Sequence, residues 1–340
     1  MIDSTNPHDS GSASVPAPFD PARQAPMGFG QLLERIHILM RSQLRLFFGI
    51  AAVPAAAILV VIAAMFSFMI PTILAQAQAA ANAPGPGAVA GGVPRWFPAL
   101  MLVIYPVIIA VYALYMPAAS FAATQADRGV IVSFRQAYGV AWSRFGRSLW
   151  LMILMVLCIM IPIVVIGALL AGGMVWVTGA KAGPASAFFL VPLLVMLYLG
   201  ILIYSILVMI RLAVAYPAAV EEDLSAWGSI VRSVRLTQNA MGRIFLVLVV
   251  VYAVIYAAIL VFMLVFFFLA ALVAIAAVAT HVTRGSAAFF VLTGLGVLGY
   301  SLVMMAATLL SYSALTTATA VIYHDQRLRL DGLTATQPMS

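Results

Sequence analysis

Charged residues are scarce in this chain of 340 residues, where Asp, Glu, Lys and Arg together make up 8%. A soluble globular domain carries about 25%, and no soluble fold has enough interior to bury a sequence that is 65% hydrophobic. The shortage of charge therefore excludes a soluble protein. Because the apolar runs are continuous rather than alternating, they also exclude a β-barrel. The sequence predicts an all-α, polytopic helical membrane protein.

Cysteine, histidine and acidic residues are too few and too scattered for most catalytic or metal sites. The single cysteine, Cys158, lies inside an apolar run and has no partner for an internal disulfide. Metal sites need several convergent ligands, but the one acidic cluster, Glu221-Glu222-Asp223, is consecutive, so its side chains would diverge on a helix. The alternative for this cluster is electrostatic pairing with the nearby Arg232 or Arg235. Nucleophilic catalysis needs a base beside a Ser or Cys, and no histidine lies inside an apolar run. We therefore predict no metal, no cofactor and no enzymatic activity.

Six apolar runs are long enough to cross a bilayer, which takes about 20 residues. They are residues 46–75, 97–123, 148–178, 186–219, 244–280 and 287–322. The fifth is far longer than one crossing needs, and we interpret it as one helix, with a break near 270–277 as the alternative.

The segments outside the apolar runs predict two tails around one membrane domain. Residues 1–27 are rich in Pro, Ser and Ala and lack the apolar core of a signal peptide, which predicts a disordered cytoplasmic tail. A six-span membrane domain is then expected over residues 28–325. Residues 326–340 are expected to form a C-terminal cytoplasmic tail.

The basic residues alternate between the two sides of the predicted bundle. Thirteen of the 17 lie before the first run, in the second and fourth connections, or after the sixth run. This excess marks the cytoplasmic side and predicts cytoplasmic N- and C-termini. Since the basic residues form no contiguous patch, we expect anionic phospholipid headgroups as partners and no nucleic acid.

A similar amphipathic segment precedes each odd-numbered run. The three segments align without gaps and carry apolar residues at positions i, i+3 and i+7, on one helical face. They are FGQLLERIHILMRSQLR (29–45), IVSFRQAYGVAWSRFGR (131–147) and WGSIVRSVRLTQNAMGR (227–243). The pattern predicts an internal repeat of three units, each an amphipathic helix followed by a two-span hairpin. The three helices either anchor the bundle in the headgroup layer or form a lipid-sensing or protein-docking face on the cytoplasmic side.

Arg211 is the one ionisable residue well inside a predicted span. Its guanidinium could belong to a substrate site. Without a substrate it has three alternatives: to snorkel to the headgroups, to pair with Glu221 or Glu222, or to bind a lipid phosphate. The candidate lipid-headgroup or buried-charge site therefore comprises Arg211, Glu221, Glu222, Arg147 and Arg243.

Three stretches of the sequence resemble the membrane domain attached to some bacterial glycerophosphoryl diester phosphodiesterases. They are GFGQLLERIHIL, YPAAVEEDLSAWGSIVRSVRLTQNAMGRIF and VIYHDQRLRLDGL, and the resemblance extends over about residues 28–333. It implies a membrane part without its catalytic partner, because the His-Arg-Gly start of the attached hydrolase is absent. The His324-Asp325 pair looks like a piece of such a site but is expected to stand alone in the C-terminal tail.

The sequence favours a non-enzymatic membrane module with a structural or lipid-interacting role, which could serve a protein partner on the cytoplasmic face. A transporter or permease subunit for a lipid-like or neutral solute is the first alternative. Its path would use the hydroxyl-rich stretch 311–319. A component of a membrane-bound glycerophosphodiester hydrolase is a weaker alternative, implied by the resemblance only.

Overall fold

The computed structural model describes residues 26–82, 96–179, 184–282 and 286–336. Within these ranges the chain forms ten α-helices and no strand, which confirms the all-α prediction. The helices are α1 (Phe29–Ser42), α2 (Leu44–Asn82), α3 (Phe97–Asp127), α4 (Phe134–Ser143), α5 (Phe145–Gly179), α6 (Pro184–Leu212), α7 (Ala215–Glu221), α8 (Ala226–Thr237), α9 (Met241–Ala279) and α10 (Ala287–Thr336). Apart from residues 26–27, the predicted N-terminal tail lies outside the described residues.

Six stretches of the described chain are long and apolar enough to cross a membrane. They are Leu44–Met69, Phe97–Asp127, Phe145–Gly173, Pro192–Glu221, Met241–Ala279 and Ala288–Leu330. Each corresponds to one of the six predicted spans, so the protein is a multi-pass membrane protein. The fifth run forms the uninterrupted helix α9, and the alternative of a break near 270–277 is wrong.

Three short helices precede three of the long ones. Gln43 separates α1 from α2, Arg144 separates α4 from α5, and residues 238–240 separate α8 from α9. Each predicted amphipathic segment is therefore split into a short helix and the first residues of a long one. The order of one short helix and two long spans recurs three times, while the internal repeat of the sequence stays a prediction.

The fourth span is interrupted near its end. The helix α6 stops at Leu212, and α7 begins at Ala215 with Pro217 in its first turn. A proline cannot donate the helical hydrogen bond, and its ring crowds the carbonyl four residues earlier, which here belongs to Ala213. The first turn of a new helix tolerates proline. The break therefore puts Arg211 in the last turn of α6 instead of inside a continuous span.

The buried core is concentrated at the end of the bundle where the short helices lie. Leu32, Phe47, Tyr115, Ile244 and Tyr323 are among its largest fully buried side chains. By contrast, the outer lengths of α5, α6 and α9 expose most of their apolar side chains. In a membrane, lipid tails cover such surfaces as readily as protein does. Among the described residues, most of the buried side chains therefore lie at one end of the bundle.

Candidate functional site

A layer of paired charges lies at the packed end of the bundle. Six acidic residues have described side chains, and five of them form ion pairs with arginine or histidine. We call these five acids and their partners the charged layer. Its carboxylates belong to Asp127, Glu221, Glu222, Asp223 and Asp325. The sixth, Glu34, is exposed on α1.

Asp127, the last residue of α3, joins three helices. Arg35 of α1 donates from Nε to its Oδ1 at 2.8 Å, and from a terminal nitrogen to its backbone carbonyl at 2.6 Å. On the other side, Nδ1 of His324 from α10 lies 2.6 Å from its Oδ2. A buried carboxylate is tolerated when such partners surround it. Asp127 therefore holds the end of α3 between α1 and α10.

Asp325 is fully buried and binds groups from the N-terminal segment, α9 and α10. Its Oδ2 lies 3.2 Å from a terminal nitrogen of Arg243 and 3.0 Å from Nε of Arg329. Its Oδ1 accepts the backbone N–H of Met27 at 2.9 Å, and the Met27 carbonyl accepts from both arginines. The expectation that the His324-Asp325 pair stands alone in a tail is wrong. The helix α10 continues through residues 325–326 to Thr336.

Glu221 and Glu222 bind partners other than Arg211. Glu221, at the end of α7, pairs with Arg128. Glu222 accepts a hydrogen bond from the Tyr323 hydroxyl at 2.8 Å, and its Oε2 lies 2.9 Å from Nε of Arg232. Of the pairings considered from the sequence, Glu222 with Arg232 is confirmed, whereas Arg211 with either glutamate is not formed.

Asp223 follows α7 in a left-handed turn with φ 49°. Two arginines hold this turn: Arg147, in the first turn of α5, lies 2.7 Å from the Asp223 carboxylate, and Arg144, between α4 and α5, lies 3.3 Å from it. The hydrogen bond from Arg147, with the charges of both arginines, keeps the pKa of Asp223 below its ordinary value. Arg144 also donates to the carbonyl of Val220 at 2.8 Å. Arg147, a predicted site residue, thus fixes the connection between α7 and α8.

Arg211 lies at the end of α6 with its side chain exposed. Its backbone carbonyl accepts a hydrogen bond from Ser233 of α8 at 2.6 Å. Among the described residues, the guanidinium has no ion pair or hydrogen bond. Snorkelling and phosphate binding, the two remaining alternatives, both leave this guanidinium directed outward.

Four further arginines share this situation. Each is exposed and has no carboxylate partner within the described ranges. Together with Arg211 they form what we call the arginine rim: Arg41, Arg45, Arg135, Arg211 and Arg235. They come from α1, α2, α4, α6 and α8. Trp142 of α4 and Trp227 of α8 are also exposed. Interfacial arginine and tryptophan are typical of the headgroup level of a membrane.

An open groove of about 420 Å³ lies between α3, residues 130–132 and α4. Most of its lining is apolar, and two amide side chains, Gln125 and Gln136, provide its polar groups. No charged side chain lines it. The groove was not predicted from the sequence, because it depends on how α4 packs against α3.

The hydroxyls of α10 mostly bond within their own helix. Thr316 and Thr317 donate to the carbonyls of Tyr312 and Ser313, both at 2.7 Å, and Ser311 donates to Ala307 at 2.7 Å. Such bonds satisfy a hydroxyl without a solute. The geometry therefore supplies no argument that stretch 311–319 is a transport path.

Two site residues escaped sequence reasoning, Asp127 and Asp325. The available signal was the scarcity of acids in the chain: a carboxylate at the end of an apolar helix needs a partner. The identity of that partner was not readable, because Arg35 and His324 lie 92 and 197 positions away from Asp127.

Compared with known proteins, the chain matches no family model, no curated protein and no solved structure. The resemblance to the membrane domain of glycerophosphoryl diester phosphodiesterases stays an expectation. Function is therefore argued from the geometry of the charged layer, the arginine rim and the groove.

Proposed function

We propose that this protein is a non-enzymatic membrane module whose charged end binds anionic phospholipid headgroups. The observation that carries the proposal is the division of the arginines into two sets. One set neutralises the carboxylates of the charged layer, and the other set, the arginine rim, is exposed without carboxylates among the described residues. Guanidinium groups match phosphate oxygens in charge and in hydrogen-bond geometry.

The position of the rim supports a lipid ligand. Its arginines lie beside helices that are apolar enough to cross a membrane and on or next to short amphipathic helices. Helices of that kind lie at the boundary between hydrocarbon and water. Each Lys or Arg near an anionic leaflet adds about 1 kcal/mol of attraction. Several rim arginines acting together would therefore retain anionic lipid in preference to zwitterionic lipid.

The charged layer would serve as the scaffold for this surface. Buried ion pairs add little net stability, but removing one partner is costly because it leaves a buried charge unpaired. Since Asp127 and Asp325 each bind groups from two other segments, they restrict how α1, α3, α9 and α10 can be arranged. This function needs no reaction, cofactor or solute path.

The proposal assigns the charged end to the cytoplasmic side of a bacterial inner membrane. The excess of basic residues in the connections at this end supports that orientation. Anionic lipid in the cytoplasmic leaflet would meet the rim there. The exposed faces of the short helices are also where a protein partner would dock.

Native mass spectrometry of the detergent-purified protein tests the proposal. We expect phosphatidylglycerol to be retained in preference to phosphatidylcholine. In the variant Arg135→Gln/Arg211→Gln/Arg235→Gln, the ratio of the two affinities should fall about tenfold, equivalent to ~1.4 kcal/mol. The matched control Arg95→Gln/Lys181→Gln/Arg284→Gln also removes three charges, from the connections that follow α2, α5 and α9, and should retain the preference. Equal retention of both lipids by the unmodified protein would overturn the proposal.

A further inference from the structure

The middle short helix is covered less completely than the other two. Leu32 of α1 and Ile230 of α8 occupy aligned positions and are 1% and 7% exposed. The corresponding residue in α4, Phe134, is 45% exposed, and Ile131 just before the helix is 88% exposed. At the position of Leu32 and Ile230 the chain itself covers the apolar side chain, whereas at Phe134 of the second unit it leaves apolar surface uncovered.

The groove lies at this uncovered surface. Its volume of about 420 Å³ falls within the range of roughly 300–1,000 Å³ that is typical of ligand pockets. Gly139 of α4 is part of the lining, and apart from its chain neighbours and the adjacent backbone of α4 no atom lies within 4 Å of the place where its Cβ would be. Space in the groove is therefore open next to the α4 backbone.

The polar groups of the groove are hydrogen-bond donors without a nearby negative charge. Oε1 of Gln136 accepts from the backbone N–H of Ser133 at 2.9 Å and from its hydroxyl at 3.1 Å. These two bonds orient the amide and leave its NH₂ group as the available donor. Arg135, a member of the arginine rim, is one helical turn from Gly139, so the two lie on the same face of α4. The groove thus combines an apolar wall with amide donors, and a cation lies outside its lining, one helical turn from Gly139.

We propose that this groove binds one phospholipid of the surrounding bilayer. An acyl chain lies along the apolar wall, the ester carbonyls accept from the amides of Gln125 and Gln136, and the phosphate lies at Arg135. The occupant is a lipid because the groove is at the membrane boundary and its polar groups are complementary to an ester and a phosphate. The inference rests on the proposed function and adds to it one lipid site at a defined place.

Filling the groove from within tests the proposal. Gly139→Leu places a side chain in the open space, and Gly200→Leu is the matched control, since Gly200 is also helical, exposed and free of neighbours within 4 Å. Both variants gain helix propensity of up to ~1 kcal/mol, so neither is expected to unfold. The measurement is native mass spectrometry during titration with dioleoylphosphatidylglycerol or dioleoylphosphatidylcholine.

We expect Gly139→Leu to weaken the tightest-bound lipid of either kind by about tenfold, a loss of ~1.4 kcal/mol, with Gly200→Leu close to the unmodified protein. Arg135→Gln should lower the affinity for both lipids, since both carry the phosphate, and should lower it more for phosphatidylglycerol, whose headgroup has no cation to offset the phosphate charge. Ile131→Ser, which changes an exposed side chain outside any helix, should weaken both lipids and provides a second variant independent of α4 folding.

Two results would overturn the groove proposal. One is unchanged lipid affinity in both Gly139→Leu and Ile131→Ser. The other is a change of oligomeric state in Gly139→Leu without loss of lipid, which would show that a second copy of the chain covers the groove.

The two proposals can fail separately. If the rim variant loses its lipid preference while Gly139→Leu binds normally, the proposed function holds and the groove proposal is wrong. If the unmodified protein shows no preference for phosphatidylglycerol but Gly139→Leu loses its tightest lipid, the groove holds as a lipid site and the headgroup function is wrong.

Discussion

The two ends of the helix α9 are held by different forces. Near its start, Ile244 is 1% exposed, and Arg243 pairs with the buried Asp325. Farther along, Leu260 is 59% exposed, and Phe268 is exposed as well. Because lipid tails are as apolar as leucine, burial of apolar surface does not draw helices together inside a bilayer. The difference indicates that the interactions that specify this fold are concentrated in the packed, charged end.

Small residues contribute to the same end. Ala118, Ala122 and Ala126 lie on one face of α3 and are all buried, as are Ala314 and Ala318 of α10. Alanine allows close approach of helix backbones, so that van der Waals contact and polar bonds can act between them. The outer lengths of α5, α6 and α9 expose most of their apolar side chains and are left to lipid. The packed end therefore holds its helices together by specific polar and close-packing contacts, whereas the remaining lengths present apolar surface that any lipid can cover.

Removing the buried carboxylate of Asp325 should give the largest effect. Asp325→Ala leaves Arg243 and Arg329 without their counterion and Met27 without its acceptor, and loss of one partner from a buried pair costs about 3–5 kcal/mol. The free energy of unfolding can be measured by denaturant titration in detergent micelles. Glu34→Gln, at an exposed acid without a described partner, is the control and should change stability by less than about 0.5 kcal/mol. Equal effects of the two variants would mean that the charged layer does not specify the fold.

Two alanine substitutions within α9 sharpen the contrast between its ends. Ile244→Ala removes a fully buried side chain and should lower the free energy of unfolding by about 2–5 kcal/mol. Leu260→Ala, at a lipid-facing position, should change it by less than about 0.5 kcal/mol, as expected of an exposed position. Both are read from the same denaturant titration. A loss at Leu260 as large as that at Ile244 would show that the apolar length is also packed, for instance against a second copy.

Substitution of Asp223, at the exposed edge of the charged layer, should give the smallest change in stability, and this change should depend on pH. The pKa of Asp223 is lowered in the folded protein, so its contribution to stability is present above the unfolded pKa of about 3.9 and is lost as pH falls through the folded pKa. Asp223→Asn should therefore melt at a slightly lower temperature than the unmodified protein at pH 7. The difference between the two melting temperatures should disappear on acidification. Melting temperatures measured between pH 7 and pH 3 check this, and a gap that widens in acid would contradict it.

Sequence reasoning succeeded for features that follow from composition and from the helical spacing of apolar residues. The six spans, the three short helices and the pairing of Glu222 with the nearby Arg232 follow from hydropathy, helical spacing and short separation along the chain. It was wrong about the His324-Asp325 pair. Hydropathy falls after residue 322, and we interpreted this fall as the point where the packed domain ends and the tail begins. The residues are polar because they bind Asp127, Arg243 and Arg329 inside the packed end.

The sequence by itself determined that the protein spans a membrane six times, because each apolar run must satisfy its backbone as a helix in lipid. It also determined that basic residues collect at one side. Only the tertiary structure decided which arginines are neutralised and which remain exposed, since ion pairs such as Arg35 with Asp127 join residues far apart in the chain. Whether a charge faces inward or outward depends on how neighbouring helices pack, and no single segment encodes that geometry.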